Sequence, residues 1–283
     1  MHIPKNRTIH GLLALLLLAA PALGQGDART ITSLLLRAGD AEQKNDYAGA
    51  VAAYSQIIKL QPRDEDAFLD RGDNYASQKD YDHAIADFSA AISLKPGDAR
   101  AFDYRGVVYL NTGRNDQALT DLSKAIALNP DYADALQNRG MVYDLKRDLS
   151  HAIADYSTIL KLDPQNPEML NARCWDRAFL GRDLDAALAD CNAALGQLKD
   201  HRAIAGVRDS RGFVWFRKGD MARAIADYDA ALALAPRAAE TLYKRGLAKS
   251  RKGDAAGGKA DIAAALKRDS HAGDDMAEIG FKP

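Results

Sequence analysis

Residues 65–98 read EDAFLDRGDNYASQKDYDHAIADFSAAISLKPGD, and that stretch decides the fold. In its first half Phe68, Arg71-Gly72 and Tyr75 fall at helical spacing; in its second half Ala84, Phe88 and Ala91 do the same, and Pro96 closes the unit. A shift of about 34 residues brings up Phe102, Arg105-Gly106, Tyr109, Ala118, Leu122, Ala125 and Pro130. A second shift brings up Leu136, Arg139-Gly140, Tyr143, Ala152, Tyr156, Ile159 and Pro164. Small, large and proline positions recur together. Such a pattern describes two antiparallel helices whose backbones approach where the side chains are small. A proline then ends the second helix. One hairpin cannot bury its apolar faces alone, so neighbours must stack.

Outward from this core the pattern degrades but persists. Residues 31–64 carry Arg37-Ala38, Ala50, Tyr54 and Pro62, with Leu34, Leu35 and Leu36 making an unusually apolar first helix. The fifth unit, about 167–204, has Arg173-Cys174-Trp175 in place of Arg-Gly, one extra residue before Ala187, and no closing proline after Leu195. Its connection, Gly196 to Gly206, is expected to be long and irregular. Residues 205–238 recover with Arg211-Gly212, Trp215, Ala224, Tyr228, Ala231 and Pro236. Residues 239–272 carry Leu242, Arg245-Gly246 and Ala265, with Gly258 at an alanine position. In the tail, 273–283, Met276, Ile279 and Phe281 are expected to cap the exposed face of the last helix.

These motifs resemble the tetratricopeptide repeat (TPR). The resemblance implies an all-α, right-handed α-solenoid of about seven stacked helix-turn-helix repeats, here about 31–64, 65–98, 99–132, 133–166, 167–204, 205–238 and 239–272. It also implies a concave groove lined by the first helices, at positions before and after each Arg-Gly pair. Read so, repeats two to four present Asp66, Asp70, Asp73, Asp103, Tyr104, Asp134, Asn138 and Asp144. Repeats five to seven present Asn171, Trp175, Asp209, Phe213, Phe216, Arg217, Tyr243, Lys244 and Arg251. The first set is acidic; the second is aromatic and more basic, with Phe213 and Phe216 expected to be exposed. Chaperone-binding members hold a terminal carboxylate with Lys, Asn and Arg at these places. Asp stands there in the regular repeats, which disfavours that ligand.

Two pairings follow from register. Arg recurs at 71, 105, 139, 173, 211 and 245, and Asp recurs at 87, 121, 155, 190, 227 and 261. In the most regular versions of the repeat both positions are usually apolar or aromatic, so their joint replacement predicts an ion pair between the two helices. Repeat one has Arg37 opposite Ala53 and lacks the pair. Cys174 and Cys191, the only cysteines, occupy the small and the large packing positions of repeat five. These face each other at disulfide distance; two buried thiols are the alternative.

At the front of the chain a short basic segment with Lys5 and Arg7 precedes GLLALLLLAA (11–20), Pro21 and Ala22-Leu23-Gly24. Residues 1–24 read as a secretory signal peptide cleaved before Gln25, which implies a soluble exported, periplasmic protein. A retained anchor is the competing reading, and the apolar run is short for a span. Lys5 and Arg7 are the only Lys, Arg, Asp or Glu among those residues, so their removal takes the net charge from −1 to −3. That balance does not favour nucleic acid. No catalytic constellation, metal spacing or cofactor motif is present. His83 and His151 sit at helix starts, and GDAAGGK (253–259) lacks the Ser or Thr and the preceding strand of a phosphate loop. The expected function is a non-enzymatic scaffold or assembly factor holding a protein or peptide in its groove. A helical-repeat nucleic-acid binder is the alternative.

Overall fold

Gly72 shows why the hairpins close. A Cβ placed there would lie 2.6 Å from the Phe88 ring; at Gly106 it would lie 2.8 Å from Leu122, and at Gly212 2.8 Å from Tyr228. Each glycine is the floor on which the large residue of the following helix rests, and any side chain would push the two helices apart. The structure is a computed structural model that describes residues 25–283, so the signal-peptide reading lies outside the described residues. No strand occurs among those residues, and 79% of them are helical.

Fifteen helices follow in order. They are α1 (Gln25–Gln43), α2 (Tyr47–Leu60), α3 (Glu65–Ser77), α4 (Tyr81–Leu94), α5 (Ala99–Asn111), α6 (Asn115–Leu128), α7 (Ala133–Leu145) and α8 (Leu149–Leu162). Then come α9 (Pro167–Leu180), α10 (Leu184–Gln197), α11 (His201–Arg217), α12 (Met221–Leu234), α13 (Ala239–Lys252), α14 (Ala255–Arg268) and α15 (Asp274–Glu278). Odd and even partners pack as hairpins: α1 on α2, α3 on α4, α5 on α6, α9 on α10, α11 on α12 and α13 on α14. Most hairpins turn at a left-handed residue and then start the second helix on a capping aspartate; α6 starts after Arg114 and α10 after Asp183 without a side-chain cap bond. Gly219 (φ 83°) precedes Asp220, which accepts from the Arg223 amide; Lys79 (φ 63°) precedes Asp80, which accepts from His83. The aspartate satisfies an amide that the first helical turn leaves without a partner.

The chain divides into two compact units between Val142 and Tyr143. In the first, Phe88, Val108 and Ala101 form one core cluster, and Leu122, Phe102 and Val142 form the next. In the second, Tyr156, Phe213, Phe216 and Tyr228 are the largest fully buried side chains. No helix among the described residues is long and apolar enough to cross a membrane.

The Arg–Asp pairing is present and bidentate. Arg105 Nε donates to Asp121 Oδ2 at 2.7 Å and Nη2 donates to Oδ1 at 2.9 Å. Arg71–Asp87, Arg173–Asp190, Arg211–Asp227 and Arg245–Asp261 repeat it, with donor–acceptor distances of 2.7–2.9 Å. A third bond joins each arginine to the repeat before it. Nη1 of each arginine reaches back to the second helix of the preceding repeat. The acceptors are Ser55 for Arg71, Ser89 for Arg105, Ser123 for Arg139, Ser157 for Arg173, Asn192 for Arg211 and Asp229 for Arg245.

Repeat five solves the same packing problem covalently. Cys174 and Cys191 form a disulfide with Cα atoms 5.7 Å apart, replacing the glycine and the large residue found elsewhere. The long connection expected after it is absent. The loop 198–200 is three residues, Asp200 caps α11, and the surplus sequence extends that helix to 17 residues.

Asp121 is buried, so Asp121→Ala strands the Arg105 charge and costs roughly 2–4 kcal/mol. The Asp121→Ala/Arg105→Ala double variant is expected to be the more stable of the two in urea unfolding. Strictly additive losses would mean the side chains do not interact. Reduction of the disulfide is expected to lower the thermal midpoint, with a loss of about 3 kcal/mol. Cys174→Gly/Cys191→Tyr, which restores the pairing of Gly212 with Tyr228, should fold and ignore reductant. A wild-type midpoint unmoved by reductant would contradict this.

Candidate functional site: the inner faces of the first helices

In the first unit the inner face is carboxylate-rich. Asp66 is half-buried and pairs with Arg100 (Nη2–Oδ1 2.9 Å). Asp70 and Asp73 lie half-buried one and two turns further along α3. Tyr104 on α5 packs edge-on to Phe88 at 5.7 Å. At the start of α3, Glu65 lies in hydrogen-bond contact with Asp98, the N-cap of α5. Burial pushes the Glu65 carboxyl up to about 7, with Asp98 adding to it. Arg100 holds Asp98 ionised through Nη2–Oδ2 at 2.5 Å.

Asp103 and Asn138, expected to line the groove, are buried against one another. Asn138 Nδ2 donates to Asp103 Oδ1 at 2.9 Å, and Asp103 is 1% exposed. Burial pushes its carboxyl up to about 7. This acid joins α5 to α7 rather than facing solvent. Asp134 on α7 is half-buried, and burial raises its carboxyl as well.

The second unit corrects the expectation more sharply. Phe213 and Phe216 are 0% and 1% exposed. The Phe213 ring packs on Trp175 at 5.0 Å, and Phe216 meets the Phe281 ring edge-on at 5.1 Å. Lys244, 2% exposed, has its ammonium paired with Asp209 and 4.5 Å from the Trp175 ring. Tyr243 is buried too; a Cβ on Gly273 would fall 2.4 Å from its ring. Asn171 is half-buried, and its Oδ1 has no hydrogen-bond partner among the described residues. Arg217 lies under Phe281, its guanidinium carbon 5.2 Å from the ring, with Nη1 3.4 Å from the Phe179 carbonyl.

The tail therefore does not rest where a cap on α14 would. Phe281 lies on α11 and α13, also 4.5 Å from the Arg251 guanidinium, and Met276 is buried. Arg147, at the end of the α7–α8 turn, pairs with Asp275 and with Glu278 (3.1 Å). A cavity of about 180 Å³ remains between Trp175, Glu240 and Lys244 on one side and residues 271–276 on the other. Only the spacing Asp275, Glu278, Phe281 hints at this in the sequence.

Neither the helix-start histidines nor GDAAGGK (253–259) gathers ligands. His83 and His151 pair with the N-cap aspartates Asp80 and Asp148 of their own helices. Gly258 lets α14 approach α13, since a Cβ there would lie 2.7 Å from the Gly246 carbonyl. Among the described residues no group of three His, Cys, Asp or Glu could hold a metal.

Asp144 and Asp176 sit within hydrogen-bond reach of each other, and Tyr156 donates to Asp144 Oδ2 at 2.6 Å. A proton shared between the two carboxyls would satisfy Asp144 Oδ1 and Asp176 Oδ2, buried oxygens that otherwise have no donor. Burial, then the charge of Asp144, pushes Asp176 up to about 8. A raised carboxyl stabilises the fold fully below its unfolded value of about 3.9 and loses that contribution as pH rises through the folded value. Between these limits the pair costs at most about 1.4 kcal/mol per pH unit. Asp176→Asn keeps a donor toward Asp144 without titrating. Its thermal midpoint should fall less than the wild type's between pH about 5 and 8; parallel curves would exclude the shared proton.

Profiles of the tetratricopeptide repeat match residues 35–99 and 133–166, and a TPR repeat profile matches residues 108–145. No curated protein matches the chain. Among solved structures, a tetratricopeptide repeat protein from Parabacteroides merdae ATCC 43184 is similar at 18% identity and a TM-score of 0.63, over 89% of this chain and 99% of that one. YrrB, a TPR protein with an unusual peptide-binding site, is similar at 20% identity and TM-score 0.59, over 66% of this chain and 94% of YrrB. PilW, a type IV pilus biogenesis factor, is similar at 21% identity and TM-score 0.59, over 76% and 96%. At these identities the likeness is one of fold. The three profile matches show that the chain carries tetratricopeptide repeats, and the hairpin packing described above is the fold of that repeat.

Proposed function

We propose that the chain is a non-enzymatic interaction module that holds a polypeptide segment on the inner faces of its first helices. One observation carries this reading. In the second unit that face already carries a polypeptide, residues 271–281, with Met276 buried and Phe281 seated on Phe216. The tetratricopeptide fold supports protein-interaction scaffolds in general, and YrrB is described as having a peptide-binding site. The assignment here rests on the faces themselves.

In the first unit Asp66, Asp70 and Asp73 lie along one face of α3, beside Tyr104. That face suits a Lys- or Arg-rich segment, since opposite charge steers encounter and fixes register. A nucleic-acid partner is the competing reading, and these carboxylates oppose it by repelling phosphate. Export to an oxidising compartment such as the periplasm is part of the same proposal. It is supported by the Cys174–Cys191 disulfide, which such a compartment preserves.

Fluorescence anisotropy with a labelled lysine-rich peptide and a glutamate-rich one of equal length tests the first-unit assignment. The basic peptide should bind, and Asp70→Lys/Asp73→Lys should weaken it by roughly tenfold. Added salt should weaken it too. Binding indifferent to reversal and salt, or equal binding of the acidic peptide, refutes it.

A further inference from the structure

Residues 271–281 are held by ion pairs and by guanidinium–ring contacts. Asp275 and Glu278 both engage Arg147, in ion pairs whose side chains are 37–44% exposed. Three residues after Glu278, the Phe281 ring enters a slot. Arg217 and Arg251 place their guanidinium carbons 5.2 and 4.5 Å from its centroid, and the Phe216 ring supports it edge-on. A guanidinium over a ring face is attracted by the ring quadrupole. The three anchors fall at even spacing, 275, 278 and 281, so that one short turn and the residues after it present all of them.

The slot is incompletely used. Among the described residues neither Arg217 nor Arg251 has a carboxylate partner. Burial disfavours the charge on Arg217, whose one hydrogen bond is the 3.4 Å contact to the Phe179 carbonyl. A guanidinium offers five donors in a fixed fork suited to a carboxylate. The fit of the tail is loose as well, since the cavity beside Trp175 and Lys244 lies between it and the helices. Exposed ion pairs of the Arg147 kind are weak and screened by salt. The segment is therefore held by contacts that a better ligand can outcompete.

We propose that the inner face of the second unit is a recognition site for an acidic segment bearing an aromatic residue, and that residues 271–281 occupy it in cis as a built-in competitor. The partner class is a polypeptide with carboxylates that meet Arg147 and an aromatic side chain that enters the Arg217–Arg251 slot. A further carboxylate beside that aromatic would reach the two guanidiniums the tail leaves unpaired. The inference rests on the reading of the inner faces as peptide-holding surfaces, and it assigns to this unit the opposite charge preference from the first.

The test uses the full chain with Trp215→Phe, so that Trp175 alone reports, and a labelled synthetic peptide of residues 271–283 as the probe. Asp275→Lys/Glu278→Lys sets two cations against Arg147 and should release the tail while the α9–α14 hairpins stay folded. Release should shift Trp175 emission to the red. It should also raise affinity for the added peptide roughly tenfold or more, because the competent fraction rises. Arg217→Ala/Arg251→Ala in the released background should abolish that gain, with circular dichroism unchanged. A wild-type chain that binds the peptide as tightly as the released variant overturns the proposal. So does a released variant that binds no better, whether or not Trp175 emission shifts. The lysine-rich peptide, run on the same variants, separates the two readings. If it binds while the acidic, aromatic peptide does not, only this inference fails; if neither binds, the reading of the inner faces fails with it.

Discussion

Arg71, Arg105, Arg173, Arg211 and Arg245 each tie three helices with one planar group. In Arg105 two donors go to Asp121 on the partner helix, and a third goes to Ser89 on the second helix of the repeat before. A guanidinium presents its donors in a rigid fork, so the angle within a hairpin and the step to the next hairpin are fixed together. The arginine side chains of the pairs with known exposure remain 17–23% exposed, and the aspartates 7–12%. Their net contribution to stability is accordingly modest, and their larger effect is on register. In a stack where each repeat meets only its neighbours, a register error at one step is passed to every later one. A polar clamp that tolerates only one geometry suits that problem better than apolar packing, which tolerates several.

Repeat five shows what happens where the clamp is kept and the packing is not. Arg173 still binds Asp190 and Ser157, yet the glycine and the large residue are gone. The Cys174–Cys191 bond takes their place and fixes the two backbones at the point of closest approach. Trp175 is the next residue. Its ring is the surface on which Phe213 and the Lys244 ammonium meet, so the disulfide anchors the residue that joins α9 to α11 and α13. The structural repair and the inner face of the second unit are thus one construction.

What the sequence reveals and what it hides divide along contact range. The hairpins, the Arg71–Asp87 type of pair and the disulfide all join residues 16 or 17 apart. Such contacts lie within one period, so the repeat register predicts them. The third bond of the clamp is equally legible, because Ser55, Ser89, Ser123 and Ser157 recur at the same spacing. Exposure was not legible. Phe213 and Phe216 stand at positions that face the groove, and the helix pattern alone makes them surface. They are buried by Trp175 on another repeat and by Phe281, far along the chain. The Arg147–Asp275 pair spans 128 residues. No periodic argument reaches such a contact, since the tail does not repeat. The acids of α5 and α7 fail for a related reason: Asp103 reads as a solvated carboxylate until Asn138 is placed against it.

A weak in-cis contact is enough to guard a site when it is tethered. Only a short connection separates the end of α14 at Arg268 from Asp275, so the tail is presented to the slot at an effective concentration on the order of mM. A free partner at about 1 μM then needs an affinity roughly 10³-fold better than the same tail added in trans before it takes half the sites. Contacts of the kind the tail already makes cannot supply that margin by repetition. Charge-assisted bonds to Arg217 and Arg251 can, because the Arg217 guanidinium is partly desolvated beneath the Phe281 ring, where a paired carboxylate is worth more than at an open surface. The site therefore discriminates by what the tail lacks. A segment that merely copies residues 275–281 is excluded, and one that adds an anion at the aromatic anchor is admitted.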